Sequence, residues 1–191
     1  MVELPTFVPV FHNWIQQHTV AGELIDVADY KHVPEGPGIM LIGYEADYAI
    51  NMGRGRMGLL YDQKRAWLAT VADDDEAETI ARIRLTLQRA LLACQALEAA
   101  PSLTGRIAFD YDEVEIAFAD RLRTPNQPAV TAALRGAVES GLADLFGDNM
   151  AVTALETDVR RSVAFLVKSA NPRDLSALLG NLQTATFAGA A

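Results

Sequence analysis

A chain of 191 residues, half of them apolar and about a fifth charged, has the composition of an ordinary globular protein and length enough for one good core. Its net charge of −9 excludes nucleic-acid and anionic-lipid partners, because both require a clustered basic surface. A single cysteine, Cys94, excludes an internal disulfide and supplies no metal-ligand spacing.

No apolar run reaches the length of a membrane-spanning helix. The opening stretch MVELPTFVPVFHNW carries Glu3, two prolines and no basic segment, so it does not read as a signal peptide. A cytoplasmic location is the expectation. The cations are nearly all arginine, with lysine only at Lys31, Lys64 and Lys168, a bias read as base composition rather than as anion recognition.

In chain order, residues 8–18 predict a short helix and residues 24–28 a strand, followed by a loop through Lys31-His32-Val33-Pro34-Glu35-Gly36-Pro37-Gly38. The apolar run Ile39-Met40-Leu41-Ile42, bounded by glycines, predicts a strand covered on both faces. Tyr44, Ala46, Tyr48 and Ile50 then share one parity and Glu45 and Asp47 the other, as on a half-buried strand. Leu59–Tyr61 and Ala66–Ala69 flank the polar Asp62–Arg65, which suggests a hairpin.

A long helix is expected over 75–99, where Ala77, Ile80, Ile83, Leu87, Leu91, Cys94 and Leu97 recur at helical spacing. Acidic residues at its start suit the helix dipole, and Pro101 closes it. Ile107, Phe109 and Tyr111 alternate on one parity and Val114, Ile116 and Phe118 on the other, which predicts a tight hairpin or a bulge at 112–113. A helix from about Pro128 to Phe146 should stop at Gly147. Residues 152–155 and 163–167 predict another hairpin. Asn171-Pro172 opens a final helix through Leu182, and TATFAGAA is expected to fray.

Hairpin strands separated from helices indicate an α+β fold, an antiparallel sheet with helices packed on one face. A regular β-α-β order, the mark of a parallel doubly wound sheet, is missing. The expectation is one domain over 1–191. The hairpin-then-helix plan shared by the two halves raises subdomains 1–101 and 102–191, although no residue repeat aligns. The strings FVPVFHNWIQ, LIDVADYKHVPEGPGIMLIGYEADY and ADRLRTPNQPAVTAAL resemble a family of uncharacterised conserved bacterial proteins. That resemblance spans most of the chain and implies no functional residues, since no activity is assigned to the family.

Candidate chemistry concentrates between Glu23 and Arg65, which hold Tyr30, Tyr44, Tyr48, Tyr61, His32 and two glycine clusters. Gly53-Arg54-Gly55-Arg56-Met57-Gly58 fits G-x-G-x-x-G, but a strand, not a helix, is expected to follow it, so a dinucleotide reading fails. Its glycines read as a tight strand connection, on which Arg54 and Arg56 could bind a carboxylate or phosphate. Asp26, Asp29 and His32 are metal-ligand types, but alternation on a strand spreads them, and they read as satisfied loop polars. Glu45 and Asp47 would stand roughly 7 Å apart on a strand, a spacing suited to acid–base pairs, yet they read as the solvated face. His12 and His18, six apart, do not share a helix face, and no nucleophilic triad assembles. No catalytic residue, metal or cofactor is assigned.

Two functions remain. The first is a non-catalytic module acting through homo-oligomerisation, as a dimer, or through a protein partner. The alternative is a protein or enzyme binding a small anionic molecule through Tyr30, His32, Tyr44, Arg54 and Arg56. It requires the His32–Gly38 loop and the Gly53–Gly58 loop to meet on neighbouring strands.

Overall fold

The computed structural model describes residues 2–33, 36–51, 55–64, 76–147, 149–155 and 158–188. Among them are four α-helices and seven strands in two antiparallel sheets, an α+β fold. The chain forms two compact units, residues 1–71 with 86–109, and residues 72–85 with 110–191. The long helix Glu76–Ala99 contributes its first ten residues to the second unit and the rest to the first.

In the first unit, a 3-10 turn at Leu4–Thr6 leads into α1 (Phe7–Gln17), the helix expected from residue 8. Pro5 sits within the turn, where its missing N–H costs nothing. The helix ends on His18 in the left-handed conformation (φ 51°), with its N–H donated to the Trp14 carbonyl. Four strands follow as a simple meander, β1 (Leu24–Tyr30), β2 (Gly38–Gly43), β3 (Ala46–Asn51) and β4 (Gly58–Gln63), in the order β1-β2-β3-β4. β4 therefore pairs with β3, and the partner arm expected at 66–69 lies outside the described residues.

Register sorts each strand into two faces. Val27 pairs with Leu41 and Leu41 with Tyr48, while Ile39 pairs with Ile50 and Ile50 with Leu59. These side chains meet Phe7, Phe11 and Trp14 of α1, and Ala93 and Leu97 of the long helix, here α2. Aromatic rings carry much of this core. Trp14 meets Tyr48 edge-on at 6.2 Å, and Tyr48 meets its cross-strand partner Tyr61 at 5.0 Å. The Tyr48 hydroxyl donates to the Ala21 carbonyl at 2.9 Å, so the ring is buried without an orphaned polar atom. Burial pushes its ionisation, and that of Tyr61, above the ordinary tyrosine value.

α2 buries Ile83, Leu87, Leu91, Cys94 and Leu97 on the stripe expected from helical spacing. Burial pushes the Cys94 thiol up to about 12, which makes it an inert small hydrophobe.

The second unit holds a three-stranded sheet in the order β5-β7-β6, with β5 (Glu113–Phe118), β6 (Ala151–Ala154) and β7 (Val163–Lys168). Two helices complete it, α3 (Pro128–Phe146) and α4 (Leu175–Ala188). The β6–β7 hairpin matches the alternation read from the sequence. The hairpin expected at 107–118 does not form. Residues 107–110 are not strand, and β5 pairs instead with β7, Val114 opposite Val167 and Ile116 opposite Phe165. The parity change at 112–113 marks an entry into a sheet, because Asp112 is engaged elsewhere. Its carbonyl accepts the Ser169 N–H and its carboxylate accepts the Arg173 N–H. α4 begins at Leu175, four residues past the expected start, and continues through Ala188, so its helical backbone includes most of the stretch expected to fray.

Candidate functional site

The sequence singled out two loops, and the register sets both at one end of the first sheet. β1 ends at Tyr30 and β2 starts at Gly38, its partner; β3 ends at Asn51 and β4 starts at Gly58, its partner. Because β2 and β3 are neighbours, the two connections leave the sheet side by side. Gly38 makes this possible. Its φ is +68°, and a Cβ there would lie 2.2 Å from the Ile50 carbonyl oxygen, so only glycine lets β2 start against the end of β3.

The flagged side chains are less concentrated than their loops. Tyr30 lies at the end of β1, 37% exposed, and His32 and Arg56 are exposed in the loops. Arg54 lies outside the described residues. Tyr44 departs from the expected face. It belongs to the tight turn between β2 and β3 rather than to a strand, and is 71% exposed. A Cβ at Gly43 would lie 2.4 Å from the Ala46 carbonyl, and the Tyr44 N–H donates to the Glu23 carbonyl at 2.7 Å. The chain reverses within two residues, which takes Tyr44 out of the alternation that Ala46, Tyr48 and Ile50 obey.

Three aspartates of this segment are engaged within the chain. Asp26 accepts the Val27 N–H, and Asp29 accepts the Lys31 N–H and pairs with its ammonium at 3.0 Å. Those bonds hold the Asp29 carboxyl below the usual value. Asp47 accepts the Gly43 N–H at 3.1 Å and pairs with Lys64 at 2.9 Å. Its cross-strand partner is Asp62, whose carboxyl is raised by partial burial and by the facing Asp47 charge. Among the described residues, no group of three or more His, Cys, Asp or Glu could hold a metal ion. No described helix is long and apolar enough to cross a membrane.

Two features of this unit stand out among the described residues. The first is the sheet face turned away from the core. Register aligns Ala28, Met40, Ala49 and Leu60 in one apolar row across all four strands. Ala49 is buried between its neighbours, whereas Leu60 is 41% and the bulge residue Ile25 57% exposed. The Asp47–Asp62 pair lies toward the turn end of this row, and Tyr30, Gly38, Asn51 and Gly58 lie toward the loop end. Among the described residues, eight large apolar side chains are exposed, and five of them, Ile25, Tyr30, Val33, Tyr44 and Leu60, belong to this sheet and its turns.

The second feature is a cleft of about 230 Å³ beside the loop end, lined by Phe7, Ile50, Met57, Arg106, Ile107 and Phe109 among others. Sequence reading missed its second wall, because 107–109 alternates like a strand. The missed signal was Gly105 at φ +71°, which turns the chain and leaves the following residues outside any sheet.

The chain matches no family model, and neither the curated proteins nor the solved structures yield a match.

Proposed function

We propose that the protein is a non-catalytic module that associates with a second copy of itself through the outer face of the first sheet. The observation that carries this reading is the apolar row Ala28-Met40-Ala49-Leu60 with exposed Leu60, Ile25 and Tyr30 around it. Contiguous apolar surface of this kind marks an interaction site in proteins that otherwise bury such residues.

The edge of the sheet is a poorer candidate than its face. At β1 a bulge falls between Leu24 and Asp26, and the Asp26 carboxylate occupies the Val27 N–H, both devices that blunt an edge.

The charge layout selects one two-fold arrangement. An axis across the strands, along the apolar row, sets the Asp47–Asp62 pair of one copy over the Tyr30-Gly38-Asn51-Gly58 row of the other. An axis along the strands would carry β4 over β1 and set Asp62 over Asp26, two carboxylates that repel. Four strands about 4.8 Å apart and six residues of about 3.4 Å give roughly 400 Å² per copy, which places the contact in the weak, reversible class.

Light scattering across a concentration series tests the reading. Mass should rise from monomer toward dimer, and Leu60→Glu should hold the protein monomeric without unfolding it. A wild-type chain that stays monomeric up to roughly millimolar concentration would sink the proposal.

A further inference from the structure

We infer that the cleft beside the loop end of the first sheet binds a small amphipathic carboxylate, its chain against Phe7, Ile50, Met57 and Phe109 and its headgroup on Arg106. Chemistry and size both point this way. The cleft, about 230 Å³, offers an alkyl chain apolar side chains to bury against, and the water displaced from those side chains gains partners in bulk solvent. Such a space is more favourably filled by apolar atoms. It is smaller than drug-sized sites, which limits the occupant to about ten non-hydrogen atoms.

Charge selects the headgroup. Among the described residues lining the cleft, Arg106 is the one that is charged, in a chain of net charge −9. Its Nη1 donates to the Ser102 carbonyl at 2.9 Å, which anchors the side chain at its own turn. A guanidinium has five N–H donors in a planar fork, the geometry that matches a carboxylate with two parallel bonds. Arg56 precedes the lining residue Met57 and adds a second cation to the same end of the sheet. The far wall is held in place by its backbone, since the Phe109 N–H donates to the Glu98 carboxylate at 2.8 Å.

The site shares Gly58 with the sheet face proposed above for self-association but is otherwise built from other residues, and it is tested with octanoate on the full chain. Octanoate should raise the melting temperature and bind by calorimetry, and octylamine, with the same chain and the opposite charge, should not. Affinity should climb about three- to four-fold per methylene from butyrate to octanoate. Arg106→Gln should weaken octanoate at least tenfold while matching the wild-type circular dichroism, because Arg106 is exposed. The proposal is overturned by any of four results: no octanoate binding up to about 10 mM, equal binding of octylamine, affinity independent of chain length, or undiminished binding to Arg106→Gln.

Discussion

The two units differ in how far arginine enters the framework. In the second unit three guanidinium groups tie down the chain's own carbonyls. Arg84 reaches the Gly141 carbonyl at 2.8 Å, the Asp144 carboxylate at 2.7 Å and the Asn181 carbonyl, joining α2, α3 and α4. Arg173 binds the Phe146 carbonyl at 2.6 Å and the Ser169 hydroxyl, capping the C-terminus of α3. Arg135 donates to the Val152 carbonyl on β6 and lies over the Phe165 ring at 5.5 Å. In the first unit aromatic rings and alternating strands fill the core, and Arg56 and Arg106 stay exposed at the sheet end. Arginine abundance therefore reflects more than composition. Arginines of the second unit join helices and strands remote in sequence, whereas Arg106 of the first bonds only the Ser102 carbonyl of its own turn among the hydrogen bonds described and is exposed at the cleft.

The largest effect expected from breaking this contrast comes from Trp14, at the centre of the aromatic core. Trp14→Ala should cost about 3–5 kcal/mol in urea denaturation followed by circular dichroism. A loss below about 1 kcal/mol would show that the first unit does not rest on these rings.

Next comes a pair of arginine variants. Arg84→Met removes donors from a partly buried carbonyl of Gly141, an exposed carbonyl of Asn181 and an ion pair, and should cost about 1–3 kcal/mol. Arg106→Gln should change stability by no more than about 0.5 kcal/mol. Equal losses at both positions would erase the distinction between framework and surface arginines.

The smallest effect concerns the facing carboxylates. The Asp62 carboxyl is raised above its ordinary 3.8, so the fold favours its protonated form. That stabilising contribution is fully present below 3.8 and is lost as pH rises through the raised value. Asp62→Asn should therefore gain a few tenths of a kcal/mol at neutral pH, and the gain should fade as pH falls toward 3.8. A variant less stable than wild type at neutral pH would contradict the repulsion between Asp47 and Asp62.

Local pattern made much of the architecture legible. The period-3.6 stripe of α2, the alternation of Tyr48 with Ile50 and the β6–β7 hairpin all lie in short windows of sequence, where side-chain period and secondary structure are the same information. The failures share a cause. Residues 107–111 alternate as a strand should, but a strand also needs a partner, and β7 takes β5 instead. Tyr44 follows the parity of β3 but sits in the turn, because Gly43 and a backbone bond to Glu23 decide where the chain reverses. For the candidate site, the sequence pointed to the loops at 31–37 and 53–58 through their glycines and cations. It did not point to Arg106 or Phe109, which reach the cleft from more than forty residues away.

By itself, then, the sequence determined the α+β class, the positions of most helices and strands, and the two glycine-bearing loops that leave one end of the first sheet. Those properties depend on neighbours along the chain. The tertiary structure alone decided which strands pair, which sheet face stays outward, and which distant arginine stands beside the cleft. These depend on contacts whose partners are remote in sequence, and the loop entropy of closing them is met by burial that no local window records.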